Sequence, residues 1–216
     1  MFSGLFSLDS KLMRALSRVA DLAILNLLFL VTSLPVVTIG PSVTALYSVT
    51  FFLGTSREKG VLKPYFQAFR ENFGTSIRVY LIFLGVCAAL ILDLVLCSNL
   101  GGWFGTLSLL FWPLLILAML AAAMAFPWIS LFQNTTMETL KNALILALAQ
   151  LPRALIVLAM WVFPLFLLVR FPIVFFNASY IILVIYFSAA AYISGLILRK
   201  LFVRYMPENI FKEEVI

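Results

Sequence analysis

Residues 20–47, ADLAILNLLFLVTSLPVVTIGPSVTALY, are apolar almost throughout, yet Pro35, Gly40 and Pro41 interrupt them near the far end. A hydrocarbon core of roughly 30 Å takes about 20 apolar residues in helical form. Residues 19–39 supply them with no charge after Asp21. An irregular backbone at membrane depth must be shielded by protein or must line a water-filled cavity. The break therefore constrains the fold more than any other feature. The whole chain is 64% hydrophobic and only 11% charged, against about 25% charged in an ordinary soluble domain. These observations predict an all-α, polytopic membrane helix bundle forming one integral membrane domain over residues 1–216.

Apolar runs at 19–39, 41–54, 77–96, 107–132, 154–169 and 172–198 predict about six transmembrane helices. The basic residues test that number. Lys11, Arg14 and Arg18 precede the first run, and Arg57, Lys59, Lys63, Arg70 and Arg78 follow the second. Lys141 and Arg153 lie between the fourth and fifth, and Arg199, Lys200, Arg204 and Lys212 close the sixth. Six spans put all of these on one face and only Arg170 on the other. The positive-inside rule then predicts a multi-pass protein of the cytoplasmic membrane with both termini cytoplasmic. The N-terminal segment lacks the order of a cleaved signal peptide, so the first run is expected to stay as a span.

Between the runs, short amphipathic interfacial helices are expected. Residues 62–73 place Leu62, Tyr65, Phe66, Phe69 and Phe73 on one helical face, with Pro64 suited to a first turn. Such a helix lies in the interface plane, and Tyr65, Phe66, Phe69 and Phe73 are the candidate partner-docking residues. Residues 10–19 form a weaker amphipathic segment and residues 137–150 a third. A weak internal repeat of residues 41–97 in 107–170 is a further expectation.

Chemistry is sparse. No histidine is present, which removes the commonest general base and metal ligand. Cys87 and Cys97 sit ten residues apart on one expected helix, about 15 Å along its axis, too far for a disulfide. No phosphate-binding glycine loop, serine elbow or zinc motif occurs. No catalytic residue, metal or cofactor is expected, and the net charge of +6 is accounted for by loops facing anionic lipid rather than nucleic acid.

Three constellations remain. The break at residues 33–44 predicts a new helix beginning at Pro41, whose first amides and the hydroxyls of Thr38, Ser42 and Thr44 would face a polar solute. Against that reading, Gly40 and Pro41 would fix a tight extracellular hairpin whose small residues allow close packing without any ligand. Asn26, buried in the first span, serves either as interhelical glue or as a solute ligand. Asp93 and Arg170 lie near the expected outer ends of their spans, where an ion pair is expected, with proton coupling through Asp93 as the alternative. Trp103, Trp112 and Trp128 fall near span ends, as an aromatic belt requires.

The opening residues carry a resemblance. Phe6-Ser7-Leu8-Asp9-Ser10, Leu12-Met13-Arg14, Ala20-Asp21 and Asn26-Leu27 resemble the YesL-like family of bacterial membrane proteins. So do residues 33–40 (SLPVVTIG), Thr44-Ala45-Leu46-Tyr47, Phe66, Phe69 and Asn72-Phe73. The family has no established activity. Its genes often lie among those for carbohydrate ABC importers, so the resemblance implies a non-enzymatic accessory or scaffold role in carbohydrate uptake or its regulation. ABC transporter permease subunits, the lipid bilayer and further copies of the chain are the implied partners. A small solute transporter or facilitator, with its site at the break, is the alternative.

Overall fold

A computed structural model describes residues 3–53, 60–100 and 102–202, except the side chains of 3–12, 14, 102–104 and 107. The Phe6–Ser10 motif, Arg57, Lys59, Trp103, Arg204 and Lys212 thus lie wholly or in their side chains outside the described residues, as do the side chains of Lys11 and Arg14. The elements are α1 (Ser3–Thr32), a 3-10 turn (Val36–Thr38), α2 (Ile39–Thr50), α3 (Leu62–Leu100), α4 (Gly102–Ile129), α5 (Thr136–Ala149), α6 (Leu151–Arg170) and α7 (Pro172–Ile181). A π turn (Ile182–Tyr186) joins α7 to α8 (Phe187–Phe202). The bundle is all-α among the described residues. Five helical stretches are long and apolar enough to cross a membrane: Ala15–Thr32, Leu62–Leu100, Ser108–Ile129, Leu151–Arg170 and Pro172–Phe202.

The second expected span, 41–54, is the exception. It forms part of the shorter apolar stretch Val36–Thr50, and α2 itself has 12 residues, about 18 Å of helix. Nearly all of it is buried, including Gly40, Ser42, Thr44 and Tyr47. It can be short because other helices, not lipid, surround it. α2 runs antiparallel to α3, with Gly40 against Tyr80 and Ser76 and Thr44 Oγ1 2.9 Å from Ser76 Oγ. It runs parallel to α8, with Tyr47 at Ser194 and Phe51 at Phe202.

Gly40 shows why this position holds glycine. A Cβ there would come within 2.6 Å of Tyr80 Cβ and 2.8 Å of the Ser76 carbonyl. Two helices approach more closely at this point than a side chain permits, a packing mode common in membrane bundles.

The helix 1–2 break differs from the expectation in position and depth. The chain turns at Ser33–Pro35, and α2 has already begun at Ile39, so Gly40 and Pro41 lie inside its first turn. Proline is tolerated there because that amide has no intrahelical partner. Tyr80, which abuts Gly40, precedes Leu100 by 20 residues, about 30 Å of helix. Thr32 at the end of α1 bonds Tyr65 at 2.6 Å, farther still from Leu100. The turn therefore lies at the opposite end of the bundle from the α3–α4 junction, not level with it. This removes the outer hairpin on which placing both termini on one face relied.

That end of the bundle gathers several segments. Phe202 packs on Trp128 and Phe51, Ser48 Oγ donates to the Ser130 carbonyl at 3.5 Å, and α5 begins close by. Arg199, in the last turn of α8, donates to the Phe51 carbonyl and closes the C-terminus of α2, where a cation suits the helix dipole.

Residues 62–73 do not form a separate helix. They are the first third of α3, with Tyr65, Ala68 and Ser76 buried along one stripe. By contrast, α5 is separated from α6 at Gln150, whose backbone leaves the helical region. The two halves of the expected repeat thus differ in their element boundaries. The expected amphipathic segment 10–19 is continuous with the first span within α1.

Candidate functional site

Three hydroxyls around the break serve the bundle's own backbone, whereas Ser33 Oγ is buried with no partner among the described residues. Thr38 Oγ1 donates to the carbonyls of Thr32 at 2.6 Å and Pro35 at 2.7 Å, covering groups that the end of α1 would leave without partners. Ser42 Oγ donates to the Thr38 carbonyl at 2.8 Å. Thr44 Oγ1 donates to the Gly40 carbonyl at 3.1 Å and meets Ser76 Oγ. The expected cluster of Thr38, Gly40, Pro41, Ser42 and Thr44 is therefore assembled, but as packing and capping.

Asn26 is fully buried and clamps α1 to the π turn. Its Nδ2 donates to the carbonyls of Leu183 at 2.6 Å and Ile182 at 3.2 Å, and its Oδ1 accepts from the Ser188 amide at 3.1 Å. A π turn departs from the regular helical ladder and is frequent at functional positions. Here one amide side chain reads both the acceptors and the donor of the irregular backbone.

A second polar centre escaped the sequence reading. The Trp161 indole donates to Tyr47 Oη at 2.9 Å, and Tyr47 Oη lies 2.9 Å from Ser194 Oγ. Trp161, in the middle of α6, gave no signal beyond its indole in an apolar run. Beside it Ile39, Val43, Cys87, Met119, Ala123 and Leu158 line an apolar cavity of about 230 Å³. Cys87 and Cys97 are free thiols.

Asp93 and Arg170 do not come together. No ion pair joins them among the described residues, and Arg170 instead lies 5.9 Å from the ring centre of its neighbour Phe171. Their similar expected depth does not place them on adjoining helix faces. Trp128 is likewise no belt residue: it is buried and stacks on Phe132 at 4.1 Å. Trp112 is exposed, as a belt position requires.

The docking residues divide. Tyr65 is fully buried (0% exposed) against Thr32 and cannot meet a partner, whereas Phe66 is 47% and Phe73 38% exposed. Phe69 packs against the core. Helical rotation separates them: Tyr65 and Ala68 turn inward while Leu62, Phe66 and Phe73 turn out. Lys63, Phe66, Gln67, Arg70 and Glu71 line an open groove of about 640 Å³.

A larger cavity of about 720 Å³ opens where α3 passes the α4–α5 connection. Its lining is polar on one side (Glu71, Asn72, Thr75, Arg78, Gln133) and includes Ile129 and Phe132. Thr135 caps α5: Glu138 N donates to Thr135 Oγ1 at 3.4 Å, and Glu138 Oε2 accepts from Thr135 N at 2.9 Å. The Thr135–Glu138 spacing is the signature of a capping box. The Thr135 backbone bond, first, and its hydroxyl, second, hold the Glu138 carboxyl below its ordinary range. Among the described residues no group of His, Cys, Asp and Glu could hold a metal ion.

Stacked apolar helices, a buried short helix at their centre and polar side chains spent on backbone irregularities define a multi-pass membrane helix bundle. Residues 22–94 match the model of the family described as "Protein of unknown function, DUF624". That family is the YesL-like family of bacterial membrane proteins, and the match covers residues 22–94 of the 216-residue chain. No curated protein and no solved structure matches the chain.

Proposed function

We propose that the chain is a non-enzymatic accessory or scaffold protein of the cytoplasmic membrane, docking to a transporter in the setting of carbohydrate import. One contrast carries this reading. Thr38, Ser42 and Thr44 at the helix 1–2 break bond to the bundle itself, while Leu62, Phe66 and Phe73 remain exposed on α3. Their neighbours Lys63 and Arg70 flank the open groove, giving an apolar ridge with basic edges. The resemblance to the YesL-like family supplies the carbohydrate setting, and an ABC transporter permease subunit is the partner it implies.

The end that bears the ridge also bears Lys141, Arg153, Arg199 and Lys200, and the positive-inside rule favours that end as the cytoplasmic one. The facilitator reading loses support from the same geometry, because a solute at the break would have to displace bonds of 2.6–3.1 Å already made.

Purification in mild detergents with co-expressed importer permease subunits tests the proposal. Co-elution that is lost with Phe66→Ala plus Phe73→Ala is expected. Recovery of the chain alone across detergents would remove the docking role, and saturable sugar flux into liposomes holding only this chain would favour the facilitator.

A further inference from the structure

The cavity between α3 and the α4–α5 connection has an ordered charge pattern. Arg78 is the last charge on α3 before the long apolar run that continues to Asp93, so it marks the rim of the hydrocarbon region. Glu71 lies seven residues earlier, about 10 Å farther from that rim and on the same helix face. Thr75 and Asn72 stand between them, and all four line the cavity. Passing from the membrane outward, the lining therefore presents a cation, a hydroxyl, an amide and an anion.

The remaining hydrogen-bonding capacity follows the same order. Arg78 Nε donates to the Gly74 carbonyl at 2.8 Å, which leaves the two Nη groups for a ligand. Asn72 Nδ2 is taken by the Ala68 carbonyl at 3.1 Å, leaving Oδ1 as an acceptor. Glu71 Oε1 accepts from Gln67 at 2.8 Å, leaving the other carboxylate oxygen. Across the cavity, buried Thr136 Oγ1 has no hydrogen-bond partner among the described residues. Ile129 and Phe132 add apolar lining.

We propose that this cavity binds a phosphate ester bearing a primary ammonium, and specifically the head group of phosphatidylethanolamine. The phosphate, which lies nearer the acyl chains, meets the Arg78 guanidinium and the Thr75 hydroxyl. The ammonium, which lies farther out, meets Glu71 and the Asn72 carbonyl oxygen. A trimethylammonium group cannot donate hydrogen bonds to these acceptors and favours aromatic cages, whereas Phe132 already stacks on Trp128. A purely anionic head group would leave Glu71 facing like charge. The site does not depend on the docking role, so failure of permease co-elution leaves it standing.

The test is native mass spectrometry of the full chain extracted from nanodiscs of equal phosphatidylethanolamine, phosphatidylcholine and phosphatidylglycerol. Circular dichroism checks that each variant keeps its helicity. Selective retention of phosphatidylethanolamine is expected, falling about tenfold in Arg78→Gln and in Glu71→Gln, as loss of a charged hydrogen bond implies. The Arg78→Lys variant, which keeps the charge, should retain more than Arg78→Gln. Equal retention of all three lipids, preference for phosphatidylglycerol, or no effect of either Gln variant would overturn the proposal. Free ethanolamine phosphate serves as the soluble probe. If it displaces the lipid at equal concentration, the site reads a soluble ester and the lipid assignment is overturned.

Discussion

Replacing Asn26 with leucine removes a side chain of similar size while deleting three hydrogen bonds, of 2.6, 3.1 and 3.2 Å, to the π turn. Interhelical bonds in membranes average about 0.6 kcal/mol each, with a ceiling near 1.7, so the three together contribute roughly 2 kcal/mol. The Ser188 amide would also lose its acceptor in a buried position, at a cost of about 1 kcal/mol or more. The expected destabilisation is about 2–3 kcal/mol, a shift of the folded-to-unfolded ratio of the order of 30- to 150-fold. Asn26→Asp should be no better, since its carboxylate would face two carbonyl oxygens that now accept from Nδ2. Reversible unfolding in mixed micelles, followed by Trp fluorescence, gives the free energies directly. A leucine variant as stable as the parent would refute the clamp. It would return Asn26 to the role of a solute ligand, whose loss costs affinity and not stability.

Three further predictions follow from other parts of the bundle. Gly40→Ala should destabilise by about 1–3 kcal/mol through overpacking, because its Cβ would meet the Ser76 carbonyl and Tyr80 Cβ. Ordinary helix propensity predicts the opposite sign, a gain of up to about 1 kcal/mol, so a more stable alanine variant in a thermal unfolding assay would disprove the close approach. With Cys87 and Cys97 replaced by alanine, cysteines at Val36 and Ser98 should react with a membrane-impermeant maleimide from opposite sides. Labelling of both from one side would contradict the depth assigned to the α1–α2 turn. The Glu138 carboxyl is held below its ordinary range, so its capping contribution is fully present above the unfolded carboxylate value near 4.3 and is lost as pH falls through the lower folded value. Acid titration of helicity should show this loss in the parent and not in Glu138→Gln, whose amide keeps the box without titrating. An identical titration in both would count against the assignment.

Much of the architecture was readable because apolar run length is a one-dimensional property. Spans one, three, four, five and six follow from hydropathy, whereas the Thr135–Glu138 capping box puts the start of α5 at Thr136, ahead of the segment expected at 137–150. What failed depended on rotation and depth, which hydropathy does not encode. Tyr65 and Phe66 are adjacent and both aromatic, yet about 100° of helical rotation puts one in the core and the other outside. Residues 41–54 were apolar enough to suggest a crossing. The 12-residue helix they contribute to is apolar because neighbours bury it, and burial by protein and by lipid select the same residue types. Asp93 and Arg170 were matched by depth alone, and an ion pair also needs adjoining faces.

The same distinction applies to the helix 1–2 break. Proline, glycine and hydroxyl residues at a helix break are expected both in a solute site and in a tightly packed turn, since both must satisfy stray backbone groups. The deciding quantity is whether any polar group is left over. At the break Thr38, Ser42 and Thr44 all bond backbone carbonyls, and buried Ser33 Oγ is left without a partner among the described residues. In the cavity beside α5, Glu71, Asn72 and Arg78 each spend one atom on their own helix and keep another in hand. Unspent hydrogen-bonding capacity at the edge of the apolar region is therefore where recognition by this bundle is to be sought.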